Sequence, residues 1–184
     1  LRHQQVTDTG RMLARIWTET DLLVAECLRH GVWDRLNPAE LAAAASVVVY
    51  EARREGEERA SVPRGPIAEA VEQTLKLWEE LESDEAARGL ELTREPDLGF
   101  VWPMYRWARG ESLAAVLASG RQLDGEMPAG DFVRWARQVV DLLGQLAEAR
   151  PAGPGDEAAR TGLRKTARAA IDAVSRGILA VHEV

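Results

Sequence analysis

Residues 130–149, GDFVRWARQVVDLLGQLAEA, decide how this chain folds. Read at 3.6 residues per turn, Phe132, Val133, Ala136, Val139, Val140, Leu143, Leu146 and Ala147 make an apolar stripe that has to be buried. Arg134, Gln138, Asp141, Gln145 and Glu148 repeat at i, i+4, i+7, i+11 and i+14 on the opposite side, with Arg137 on its flank. A helix of about 20 residues is roughly 30 Å long and crosses a small domain. One edge can hold a bundle together while the other lies along something extended. A polar stripe is also what any solvated helix face shows, so periodicity alone leaves both readings standing.

Working outward, Pro151, Gly153, Pro154 and Gly155 force a stop and a reversal. A last helix is predicted over residues 156–181. It buries Leu163, Ala167, Ala170, Ile171, Val174, Ile178 and Val181 and presents Arg160, Arg164, Lys165, Arg168 and Arg176 elsewhere. So short a connection between two long helices implies an antiparallel pair.

Upstream, Asn37-Pro38-Ala39-Glu40 is a strong start signal: Asn caps, Pro suits the first turn, and Glu reaches back. The helix it opens, predicted to run to about residue 54, is apolar nearly all round (LAAAASVVVY) and belongs in the middle of a bundle. Shorter helices are expected over residues 11–18, 21–30, 102–109 and 112–119, with Gly31 and Gly110 as stops. Ile67, Val71, Leu75, Trp78, Leu81 and Ala86 mark an amphipathic helix to about residue 88 whose outer face is acidic. Residues 55–66 and 120–129 read as loops, and 90–100 as irregular. The expected fold is all-α, a bundle of about six to eight helices with two long antiparallel helices at the end.

A chain of 184 residues with net charge −7 and pI near 5.1 does not present the basic coat of a duplex-DNA binder. The charge is uneven, at −8 over residues 1–129 and +1 over 130–184, so the C-terminal helices repel a phosphate backbone least. Of the 23 basic residues, 21 are Arg, which suits fork-like contacts. The single Cys27, in an apolar run, excludes an internal disulfide and fits a reducing cytoplasm. The longest strongly apolar run, residues 41–50, is too short to span a bilayer, so no membrane is expected. The chain opens on Leu1, which reads as a piece of something longer.

Catalytic constellations are not evident. Gly162-Leu163-Arg164-Lys165-Thr166 lacks the Gly-Lys step and preceding strand of a phosphate loop. His3, His30 and His182 are scattered, and Glu26 with His30 is not repeated as a di-iron bundle requires. Glu79-Glu80 sits on a solvated face. Trp17, Trp33, Trp78, Trp107 and Trp135 read as core; Trp102, beside Arg106 and Arg109, suits core and base stacking equally.

Four stretches, VTDTGRMLARIWTETDLLVAECLRHG (6–31), NPAELAAAASVVVYEAR (37–53), RWARGESL (106–113) and GDFVRWARQVVDLLGQ (130–145), occur in order across almost the whole chain. Together they resemble the DSHCT domain. This is the C-terminal helical domain of superkiller-type DExH-box RNA helicases, and the likeness is to the actinobacterial HelY-like branch.

The resemblance implies that residues 11–184 are the DSHCT domain and residues 1–10 the tail of a preceding winged-helix region. The parent would be an ATP-dependent RNA helicase of superfamily 2, with ATP and Mg held in two RecA-like domains. This chain, carrying none of the ATPase motifs, would have no cofactor and no catalytic residues. In the family one long helix, the ratchet helix, lies against single-stranded RNA, and by motif position it is residues 130–149. Arg134, Arg137, Gln138 and Asp141 are thus the expected RNA-facing residues, Arg134 standing at the family's Gly-x-x-x-Arg position. Gln138 replaces a residue that eukaryotic relatives tend to make basic. Gly144, mid-helix, marks a kink or a close helix contact. The other reading is a docking bundle that uses the acidic face of residues 69–85, or the basic C-terminal face, against a helicase core or an RNA-degradation partner.

Overall fold

The computed structural model describes residues 21–51, 60–87, 94–119, 127–149, 157–177 and 179. Among these are seven α-helices, a 3-10 turn between the third and fourth of them, and no strand. In order they are α1 (Asp21–Arg29), α2 (Pro38–Val49), α3 (Pro66–Ala87), the 3-10 turn (Leu98–Phe100), α4 (Val101–Ala108), α5 (Leu113–Ala118), α6 (Ala129–Glu148) and α7 (Glu157–Val174). The expected tail at residues 1–10, the helix at 11–18 and Trp17 lie outside the described residues, as do 52–59 and 120–126 of the two expected loops.

Helix α2 is the axis. Asn37 Oδ1 accepts the Glu40 N–H at 2.8 Å and Glu40 Oε1 accepts the Asn37 N–H at 2.9 Å, with Pro38 in the first turn. Every residue from 41 to 48 is buried, and α3, α4, α6, α7 and the 3-10 turn all pack on it. Four consecutive alanines, 42–45, let those neighbours close in from several sides.

The helix stops at Val49, short of the expected residue 54. Its last carbonyls are claimed from afar: Asp97 donates its N–H to Val47 O at 3.0 Å, and Arg94 Nη2 donates to Val48 O at 3.1 Å. Tyr50 then turns to extended backbone and stacks on Phe100, ring centroids 5.2 Å apart. Phe100 continues to Phe132 at 5.5 Å, and Phe132 meets Trp107 edge-on at 5.4 Å. This aromatic run joins the end of α2 to α4 and α6.

Glycine stops two helices. At Gly31 (φ 65°) and Gly110 (φ 94°) the following residue donates back five positions, Val32 to Cys27 O at 3.0 Å and Glu111 to Arg106 O at 3.1 Å. That Schellman geometry needs a left-handed residue at both places.

α3 lies against α1 and α2 through Ile67, Ala70, Val71, Thr74, Leu75 and Leu77. Thr74, almost fully buried, accepts from Trp33 Nε1 at 3.2 Å and from Cys27 Sγ at 3.7 Å, and donates to Ala70 O at 2.7 Å. Burial pushes the Cys27 thiol up to about 12, against the smaller opposing effect of its bond to that hydroxyl.

α6 and α7 form the expected antiparallel pair, both seated on α2. α7 ends at Val174, seven residues before the expected end, because Ser175 and Arg176 bend away. Arg176 was expected to point elsewhere from the core; instead it folds inward. Its Nη2 donates to Trp107 O at 2.6 Å and to Glu111 O at 2.8 Å, its Nε to Trp107 O at 3.2 Å, and its guanidinium lies 3.6 Å from the centre of the Trp107 ring. Trp107 Nε1 in turn donates to Val174 O at 2.8 Å. Desolvation lowers the Arg176 pKa from its ordinary value. The predicted anchors Ile178 and Val181 lie outside the described residues, while Leu179 is buried in the core.

Trp33 and Trp107 are buried as expected, and Trp78 and Trp135 are packed against the core while keeping some exposure. Trp102 is half-buried, its Nε1 bonded to Ser61 Oγ at 3.3 Å and Arg106 over its ring at 5.2 Å.

Candidate nucleic-acid interface

α6 opens after Pro128, whose extended backbone precedes the first turn, and Asp131 there complements the helix dipole. Phe132, Val133, Ala136, Val139, Leu142, Leu143, Leu146 and Ala147 face inward. The stripe read from sequence is therefore right except on its edges. Leu142 is buried and Val140 only partly so, because α2 and α7 both close on this helix and the dry sector is shifted toward the side of Leu142.

The four expected site residues stand together on the opposite face. Arg134, Arg137, Gln138 and Asp141 are all exposed, and with Ala129, Gly130 and Val133 they line a shallow open concavity of about 500 Å³. The Arg134 side chain is 55% exposed. Its guanidinium sits 5.1 Å from the Trp135 ring centroid, and its Nη2 is 3.9 Å from Asp131 Oδ1. A solvent-facing pair at that separation is worth little, about 0–1 kcal/mol, so the cation can exchange its partner readily. Trp135 meets Tyr50 in a T-shaped contact at 5.3 Å, so one ring both packs against the core and supports Arg134. Sequence reading placed Trp135 in the core alone; its adjacency to Arg134 was the available signal.

The polar face is less uniform toward its end. Glu148 is exposed, but Gln145 is half-buried with its Oε1 shielded from solvent. Gly144 marks no close contact: among the described residues nothing lies within 4 Å of where its Cβ would be.

Chemically this face offers two cations, an amide and a carboxylate, suited to holding a polyanion loosely through backbone groups. Among the described residues no three of His, Cys, Asp and Glu are placed to share a metal ion, and no helix is long and apolar enough to cross a membrane.

Residues 3–181 match the family model of the DSHCT (NUC185) domain. This chain belongs to the DSHCT family. The DSHCT chain is 49% identical over 183 residues to the probable helicase HelY of Mycobacterium leprae (strain TN). It is 50% identical over 182 residues to the probable helicase HelY of Mycobacterium tuberculosis (strain CDC 1551 / Oshkosh). Each match covers 96% of this chain and 19% of the relative. The DSHCT chain thus spans about a fifth of the length of the relatives it matches.

Proposed function

We propose that this DSHCT chain is the non-catalytic helical domain of an ATP-dependent DExH-box RNA helicase of superfamily 2, and that α6 guides single-stranded RNA. The observation that carries this reading is the division of α6. Its inner face is locked to α2 and α7, while Arg134, Arg137, Gln138 and Asp141 share one open concavity on the outer face. Family membership and the helicase relatives supply the context. Contacts would be sparse and sequence-independent, made to sugar-phosphate groups or stacked bases as the strand passes. ATP and Mg would belong to RecA-like domains of the parent, which would act in the cytoplasm on RNA processing.

The test is Arg134→Ala with Arg137→Ala in the full-length parent. Unwinding and RNA-stimulated ATPase should both fall, with basal ATPase and the melting temperature kept. Unchanged unwinding by a well-folded variant would end the assignment.

A second reading rests on α3, whose Glu69, Glu72, Glu79 and Glu80 are exposed on a helix that packs only on α1 and α2 among the principal contacts. That face would dock a basic surface of the helicase core or of an RNA-degradation protein. RNase-resistant association lost on charge reversal at Glu79 and Glu80 would favour it.

A further inference from the structure

The cations of α6 are confined to its first half. Past Gln138 its outward side chains are Asp141, Gln145 and Glu148, which give a phosphate backbone nothing positive to follow. Yet α6 and α7 lie side by side on α2, so the faces each turns away from α2 form one outer surface. α7 buries Leu163, Ala167, Ala170 and Val174, which leaves Lys165 and Arg168 exposed and Arg164 partly exposed on its outer side. Because the helices are antiparallel, Arg168 stands beside the end of α6, and Lys165 and Arg164 lie about one turn beyond it. The Arg168 Nη2 donates to Ala147 O at 3.4 Å and fixes that register.

We infer that the single-stranded RNA track runs off the end of α6 and onto α7, where Arg164 and Lys165 take the phosphates. This deepens the proposed function and rests on it. From Arg134 to Ala147 the track covers about 20 Å along α6, one helical rise at a time. Lys165 is exposed, Arg164 donates to Thr161 Oγ1 on its own helix at 3.5 Å, and the chain as a whole is acidic at −7. Asp172, the carboxylate among the described exposed residues of α7, stands at i+4 from Arg168 and about two turns from Lys165. The exposed residues there, Thr161, Gly162, Lys165, Arg168, Ala169 and Asp172, include no aromatic or large apolar anchor of the kind that centres a protein–protein interface. A flexible polyanion needs no such anchor.

The experiment uses the full-length parent without nucleotide and a fluorescein-labelled oligouridylate, with Kd read by anisotropy across a KCl series. Arg164→Glu with Lys165→Glu should weaken binding about tenfold and lower the salt slope by about 1.4, two phosphate contacts at about 0.7 each on a single strand. Arg168 is left intact because it also holds the end of α6. Lys165 is exposed and Arg164 partly so, with neither in the core, so the melting temperature should hold and confirm folding. Arg134→Ala with Arg137→Ala runs in parallel. If that pair weakens binding and the α7 pair changes neither Kd nor slope, the crossing is wrong while the α6 reading stands, and the ridge is left to an acidic protein surface. If neither pair matters, the α6 reading fails and takes the crossing with it. Loss at α7 alone also overturns a continuous track.

Discussion

Arg176→Ala removes one side chain that does three things at the junction of α4 and α7. It donates to the carbonyl of Trp107 in the last turn of α4, donates to the carbonyl of Glu111 just past it, and covers the Trp107 ring at 3.6 Å. A hydrogen bond from a charged donor contributes about 1.5–3 kcal/mol and a desolvated cation–π contact about 2 kcal/mol. These gains belong to a single group and overlap. Water can also reach the freed carbonyls, because Arg176 is only half-buried. The net cost should be about 2–3 kcal/mol, a fall of roughly 5–10 °C in Tm for a domain of this size. Thermal unfolding followed by circular dichroism measures it, with Arg168→Ala as control. Arg168 makes one bond of 3.4 Å from an exposed position, so its loss should cost well under half as much. Arg176→Lys keeps the charge but cannot fork between two carbonyls or lie flat on the indole, and should recover less than half of the loss. Equal shifts for Arg176→Ala and Arg168→Ala, or full recovery by lysine, would refute the clamp.

Other outcomes follow from single observations. Thr74→Val keeps the shape but strands the buried Trp33 Nε1–H, and should cost about 1–3 kcal/mol in urea unfolding; a neutral result would show that the indole has another acceptor. Gly144→Ala should stabilise by about 0.5–1 kcal/mol, since the site is open and the helix gains from losing glycine's freedom; a lower Tm would reveal a neighbour pressed against that position. Cys27 should resist alkylation at pH 8 in the native chain and react once unfolded. The sign is fixed by its raised native value. Its contribution to stability is complete below the unfolded thiol's pKa of roughly 8.5 and is lost as pH climbs from there through about 12, so denaturant midpoints should fall over that window.

Local signals were the ones a reader of the sequence could use. The Asn37–Glu40 box, the glycine stops at 31 and 110, and the two-faced pattern of α6 are each spelled within a few residues, and each appears in the fold as expected. What escaped was set by distant partners. α2 ends where it does because Arg94, Asp97 and Phe100 arrive from some 50 residues away, which no capping rule near Tyr50 could announce. Arg176 looked like one more outward cation because a helical wheel assumes the helix continues; once the chain bends at Ser175 the wheel no longer applies. The gathering of Arg134, Arg137, Gln138 and Asp141 was legible because all four ride one rigid element. The neighbouring charges of α7 were legible as residues but not as neighbours, since their alignment with α6 comes from packing.

The slimness of α2 has a mechanical corollary. Methyl groups at positions 42–45 leave no thick, deformable layer of long side chains between it and the helices around it. Interiors packed at crystal-like density are stiff and transmit strain rather than absorbing it. A tug along the outside of α6 would therefore be felt on the far side of α2 with little lost to internal slippage, and the domain would swing like a rigid lever about a thin spindle.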